Sequence, residues 1–380
     1  MPASKSIYGA GLIAAGLIAA SVLAVSGFGG TVPAMAEDGQ DRSVTVEEYH
    51  ALYGETPTGK WVLRDGEDIE WWTPKPSKKY HLAMAIPHVR DPYWVAVAYG
   101  AYEAAKELGA RLDLRPAGGY MKLGVMMADI EDLIARGVDG LVISAVDYSA
   151  VAVQVRKAWN AGIPTTSALI PTAYEGAPGV SIDDYETGVV QAKLAAERLA
   201  PDTKIFMLNG PPGVEWGKVR AQGFKETLAE LAPTMEILGE RYHEMDRTIA
   251  QKLTEDALAT WPDMKLIYCT ADFQCKGAIS ALRAAGKKPG DVWVTGVHMD
   301  EESIALLKEG WFAWGLSEGA CLEGKYAVRM LVNILEGNPV PKTMLVPIRA
   351  YTQENIESFG SLVGVDWAAP GWTPGSTLVE

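Results

Sequence analysis

The stretch YHLAMAIPHVRDPYWVAVAYGAYEAAKELGARLDLR, residues 80–115, decides the fold. It opens with a short apolar run, His81 to Ile86. Asp91 stands where a helix N-cap belongs, Pro92 suits the first helical position, and Gly109 suits the left-handed residue that ends a helix. Between them Val95, Ala98, Tyr102, Ala105 and Leu108 keep the three-to-four spacing of one buried face. Arg111 to Arg115 then reads as the next strand. Strand, capped amphipathic helix, strand is one crossover unit.

Working outward, the unit repeats. A helix over 125–136 leads to a strand at Gly140 to Ala145. A third helix, capped by Asp147 and closed by Gly162, leads to a strand at Pro164 to Leu169. Strands alternating with helices of this length imply a parallel sheet. A second series follows Val180-Ser181-Ile182: a helix from Thr187, strands at 204–208, 235–242, 266–270 and 292–297, and helices at 218–230, 248–260, 277–285 and 303–308. After Trp311 to Leu316, a helix at 322–335 and a strand at Met344 to Ile348 remain, a surplus that implies a return to the first series. The expected architecture is therefore α/β: two doubly wound parallel-sheet lobes joined by a three-segment hinge. Lobe one takes 77–182 plus 319–345, and lobe two takes 183–318 plus 346–365. A polar arm at 37–76 precedes them and a Trp- and Pro-bearing strap at 366–380 follows. After the leader described next, the chain is also longer than one hydrophobic core supports.

The first residues read as an export signal. Lys5 precedes an apolar run from Ile7 to Val25, and Ala34-Met35-Ala36 is a small-x-small cleavage site, so cleavage after Ala36 and a periplasmic location are expected. No cysteine stands at that junction to carry a lipid. The formal charge is −14, and removing Lys5 with the leader takes it to −15. Such a surface disfavours nucleic acid, whose binding rests on phosphate neutralisation. Cys269, Cys275 and Cys321 leave at least one thiol unpaired. Spacing alone leaves Cys269 and Cys275 open between a bridge and two small core residues.

Motifs of catalysis and cofactor binding are missing. There is no H-E-x-x-H, C-x-x-C, Walker loop or G-x-G-x-x-G, so neither a cofactor nor a metal is expected. Gly210-Pro211-Pro212-Gly213 has the glycines of a phosphate loop, but its prolines remove amide donors. Gly315-Leu316-Ser317-Glu318-Gly319 fits the nucleophile-elbow pattern. That arrangement needs its acid and histidine after the serine, and all five histidines precede it. The expectation is a binding protein and not an enzyme.

In doubly wound sheets ligands sit beyond the carboxyl ends of the strands. Those ends carry Asp91, Tyr93, Trp94, Tyr120, Asp147, Asp183, Asp184, Trp216, Arg220, Asp272, His298 and Glu318, the candidate ligand-binding set. Asp91 and Asp147 double as helix caps, Arg220 as the partner of an acid, and His298 as a core histidine. Aromatic faces beside carboxylates favour a positively charged solute such as an amine. Carboxylates beside an arginine equally suit sugar hydroxyls.

The blocks His81 to Trp94, Val138-Asp139-Gly140-Leu141-Val142-Ile143-Ser144, Gly162-Ile163-Pro164, Gln222-Gly223-Phe224 and Ala281-Leu282-Arg283-Ala284-Ala285-Gly286 resemble the ribose-binding family of periplasmic proteins. The resemblance runs from Tyr80 to about Arg349 and implies the type I periplasmic binding protein fold. A narrower likeness, in Pro87 to Trp94, Tyr99-Gly100, Glu103-Ala104-Ala105 and Ala117-Gly118-Gly119-Tyr120, is to the periplasmic sensor proteins of trimethylamine-N-oxide respiration. Those bind the N-oxide between two lobes and signal to a membrane sensor kinase, which implies that Tyr93, Trp94 and Tyr120 belong to the ligand site. At the first crossing the sensor pattern is aromatic where this chain has Asp183 and Asp184. Arg220 stands where sugar binders place a ligand arginine. The implied partners are a small-molecule ligand and the periplasmic sensor domain of a membrane histidine kinase, with an ABC permease as the alternative.

Overall fold

The computed structural model describes residues 44–45, 60–62, 73–174, 176–212, 214–375 and 377–379. The expected leader and cleavage site, and most of the arm at 37–76, lie outside the described residues.

The first lobe is built on β3 (His81–Ile86), β4 (Arg111–Pro116), β5 (Gly140–Ile143), β6 (Thr165–Ala168) and β7 (Gly179–Ser181). Its helices are α1 (Pro92–Glu107), α2 (Leu123–Ala135) and α3 (Ala152–Asn160). Strands β3 to β7 pair in parallel, in the order β7-β6-β5-β3-β4. The short strands β1 (Val44–Thr45) and β2 (Lys60–Val62) extend the β7 side through β13 (Thr343–Leu345). Asp91 accepts from Trp94 N at the start of α1, as a cap should. Asp147 instead accepts from Ser149 and Ala150 N in a turn, and α3 begins only at Ala152 without a side-chain cap.

The second lobe repeats the plan with α4 (Asp184–Arg198), β8 (Lys204–Asn209), α5 (Glu215–Leu231), β9 (Glu236–Tyr242), α6 (Arg247–Thr260), β10 (Leu266–Cys269), α7 (Asp272–Ala284), β11 (Trp293–Val297), α8 (Glu301–Lys308) and β12 (Phe312–Ser317). Helix α9 (Ala320–Leu335) then returns to the first lobe, where β13 pairs with β7. The strand expected at Met344 to Ile348 is divided. Val346 N still donates to Ser181 O, Pro347 has no N–H to continue the ladder, and β14 (Arg349–Tyr351) pairs antiparallel with β12 in the other sheet. The chain thus crosses between sheets at 182–184, 317–320 and 346–349.

Each sheet is covered on both faces. Helices α1 and α9 bury Trp94, Val97, Tyr326 and Met330 on one face of the first sheet, while α2 and α3 bury Met126, Ile130 and Val155 on the other. In the second lobe α4 and α5 bury Ala192, Phe224 and Leu228, and α6, α7 and α8 close the opposite face. Two helix pairs meet backbone to backbone. A Cβ on Gly100 would lie 1.8 Å from Cys321 O, and one on Gly324 1.9 Å from Val97 O. In the second lobe, a Cβ on Gly188 would lie 2.0 Å from Arg220 O and one on Gly223 2.2 Å from Tyr185 O. These crossings set the helix starts that carry Tyr93, Trp94, Asp184 and Arg220.

The three cysteines are free and buried, Cys275 Sγ lying 3.5 Å from Ala271 O and from Thr295 O. The strap is ordered where described. Trp372 packs on Tyr99 and Tyr102, and β15 (Thr377–Val379) adds antiparallel to β4, covering that sheet edge.

Candidate ligand-binding site

The carboxyl ends of the two sheets face one small cavity of ≈ 50 Å³, open at its mouth to solvent. From the candidate set it is lined by Asp91, Tyr93, Trp94, Tyr120, Trp216, Arg220, Asp272, His298 and Glu318. Asp147, Asp183 and Asp184 do not line it. Asp147 holds its turn, Asp183 caps α4 through Glu186 N, and Asp184 stands behind Arg220. Asp147 and Asp184 instead border the outer cleft, which shares Tyr120, Leu169 and Trp216 with the inner cavity. Sequence reasoning left Leu169, Met245 and Ala271 out of the lining. Leu169 follows β6, Met245 follows β9 and Ala271 follows β10, so the strand-end rule that found the others could have found them.

The first-lobe wall is aromatic and fixed. Trp94 is fully buried, and its Nε1 donates to Tyr120 Oη at 3.0 Å. Tyr93 meets Trp94 edge-on at 5.1 Å and His298 at 4.9 Å between ring centroids. Its hydroxyl donates to Glu323, a buried carboxylate at the start of α9 that the strand-end rule misses because its signal is an acid within an apolar helix. Burial, with the field of Glu318, pushes the Glu323 carboxyl well above the ordinary range. Burial likewise raises the Tyr93 and Tyr120 phenols, so both stay protonated.

The hinge-side wall is an ion triad. Arg220 Nε lies 2.8 Å from Asp184 Oδ1 and its terminal nitrogen 2.6 Å from Glu318 Oε1, while Nη1 donates to Thr270 O at 3.0 Å. The guanidinium lies over the Trp216 ring at 5.0 Å. Burial works against its charge, but Glu318 and Asp184 more than offset this and raise its pKa. Burial raises the carboxyls of both Glu318 and Asp184 against the opposing pull of Arg220. Asp184 and Glu318 sit on two different crossings, so the triad ties two hinge segments together.

The second-lobe wall carries Asp272, whose Oδ2 receives Ser303 Oγ at 2.5 Å and Asp300 N at 3.3 Å, with Lys276 Nζ 3.3 Å away. Burial pushes Asp272 up to about 7 despite Lys276, and Asp300 adds to the rise. Asp300, 2.5 Å from Lys276, is held at about 2: burial raises it, but Lys276 and His298 outweigh that. Burial lowers His298, and lowers His88 to about 4, so both imidazoles are neutral at pH 7.

Backbone strain concentrates here. Among the described residues the non-glycine positions with positive φ are Leu169 at 59° and His298 at 64°, and both line the cavity. Such strain persists where the surrounding structure enforces it, commonly at ligand sites. Ser317 is elsewhere: fully buried, it donates to Asp366 and accepts from Gly319 N at 3.1 Å. It holds the second crossing to the strap.

Two doubly wound lobes, three chain crossings and one cavity lined from both sides define a two-lobed solute-binding protein. The chain belongs to the family described as periplasmic binding protein domain, which it matches over residues 82–339. It is 26% identical to the ribose import binding protein RbsB of Bacillus subtilis (strain 168) over 293 residues, covering 76% of this chain and 93% of that one. Periplasmic protein TorT of Escherichia coli (strain K12) is 22% identical over 301 residues, covering 78% and 85%. Among solved structures, the substrate-binding protein of a sugar ABC transport system from Bordetella parapertussis 12822 superposes with a TM-score of 0.74 at 25% identity, covering 79% of this chain and 97% of that one.

Proposed function

We propose that the protein is exported to the periplasm by a cleavable leader, closes around trimethylamine N-oxide or a related amine, and presents its closed form to the sensor domain of a membrane histidine kinase. The observation that carries this reading is the cavity lining itself, in which Tyr93, Trp94, Tyr120 and Trp216 stand among the carboxylates Asp91, Asp272 and Glu318. Methyl groups on a positive nitrogen suit aromatic faces, and Arg220 keeps N–H groups beyond its protein bonds for an oxide oxygen. The likeness to TorT supports it. Closure follows from differential affinity: lobe-one and lobe-two contacts exist together only in the closed state, so ligand shifts the hinge equilibrium. The output is a conformation and not a product.

A second reading makes it the receptor of an ABC importer for a sugar or amine. The ribose-import and sugar-transport names of its relatives favour it, as does an arginine between carboxylates.

A thermal-shift screen of the purified protein against trimethylamine N-oxide, methylamines and common sugars separates the ligands. A ligand at a hundred times its Kd adds about 2.7 kcal/mol of stability. Stabilisation by the N-oxide or an amine is expected; stabilisation by a sugar alone rejects the first reading.

A further inference from the structure

We infer that the cavity selects a solute with net positive charge, a small organic cation, over neutral molecules of the same shape. This rests on the reading of the cavity as the ligand site and sharpens it from polarity to charge.

Charge is out of balance in the cavity and immediately behind it. Asp91, Asp272 and Glu318 line the cavity against one cation, Arg220. Behind them Asp184 and Asp300 stand against one more, Lys276. Arg220 is paired with Asp184 and Glu318, and Lys276 with Asp300 and Asp272, so neither cation is left to neutralise Asp91. Burial raises the Asp91 carboxyl, and Arg90, whose field opposes this, is exposed to water and correspondingly screened. His88 and His298, both neutral, add no positive charge. Buried carboxylates are costly unless paired, and a bound cation would supply the missing partner where a neutral polyol would not.

A second feature marks the cavity as a ligand site. His298 is 6% exposed and its buried Nε2 has no hydrogen-bond partner, and the same holds for the indole Nε1 of Trp216. Both side chains line the cavity, so the pocket presents polar groups that its own protein atoms leave unsatisfied. The polar contacts of Asp272 all fall on Oδ2, which leaves Oδ1 without a protein donor on a residue that faces the same space. With Tyr93, Trp94, Tyr120 and Trp216 among the lining, the carboxylates and aromatic faces together make a cation box.

The test is isothermal titration with choline, its neutral isostere 3,3-dimethyl-1-butanol, trimethylamine N-oxide, which carries no net charge, and ribose. Choline should bind about 100-fold more tightly than the neutral isostere. Asp91→Asn keeps an N-cap for α1 and removes one charge, so it should weaken choline about tenfold and dimethylbutanol distinctly less. A melting curve checks that this variant folds, and Asp272→Asn gives an independent second removal. Equal or tighter binding of dimethylbutanol, the N-oxide or ribose overturns charge selection while leaving the cavity as the site. Choline binding indifferent to both substitutions overturns the placement itself, and failure of all four probes to bind overturns both.

Discussion

Replacing Arg220 by Met tests the triad that joins two hinge crossings. Met keeps an unbranched chain and removes the charge between Asp184 and Glu318, which lie 2.8 and 2.6 Å from the guanidinium. Arg220 and Glu318 are each 3% exposed on their side chains, so water does not replace the lost partner. Breaking a buried pair from one side costs about 3–5 kcal/mol. At about 2 °C per kcal/mol for a chain of this size, the melting temperature should fall by roughly 6–10 °C near neutral pH. The sign with pH follows from the carboxyls. Both are already raised by burial, and loss of Arg220 raises them further. A raised acid destabilises the fold only where the unfolded chain would ionise it, so the deficit should be smallest near pH 4 and grow toward pH 7. Melts of wild type and variant at both pH values give the answer. Adding Asp184→Asn and Glu318→Gln should restore most of the loss. An equal deficit at both pH values, with no rescue by the triple variant, would show that Arg220 acts by packing on Trp216 and refute the charge account.

Three further outcomes are expected. Choline affinity should fall as pH drops below about 7, by at most about tenfold per unit, because Asp272 must ionise to meet a cation and sits at about 7 among Lys276, Asp300 and Ser303; titrations from pH 8 to 5.5 would show a flat profile if Asp272 plays no part. Gly324→Ala should destabilise by more than the roughly 1–3 kcal/mol of ordinary overpacking, since its Cβ would lie 1.9 Å from the backbone oxygen of Val97; an unchanged urea midpoint would contradict the close crossing of α1 and α9. Trp216→Ala should abolish ligand-induced stabilisation while the apo melt moves little, because the ring is only half-buried, whereas Trp94→Ala should cost about 3–5 kcal/mol as a fully buried core residue. Matching apo melts for the two would contradict the division of roles.

The sheet order was legible because alternation of apolar strands with capped helices is a long, repeated signal. Asp91, Pro92 and Gly109 punctuate α1 where the structure ends it. The third crossing was blurred, since Met344 to Ile348 reads as one β-prone run and only Pro347 marks where the ladder changes sheets. Most candidate site residues share the cavity because the strand-end rule is topological. It does not tell lining from support: Asp147, Asp183 and Asp184 meet the same rule, yet local N–H groups or Arg220 take their carboxylates. Glu323 was invisible for the converse reason. It reaches the site through Tyr93, by a contact that spans 230 positions in sequence.

The most direct measurement is a crystal structure of the protein with whichever solute stabilises it most. That solute should lie between the Trp94–Tyr120 wall and Trp216, in contact with at least one of Asp91, Asp272 and Glu318, with the lobes closed on it. A solute bound outside this cavity, or within it but touching only one lobe, would contradict the account.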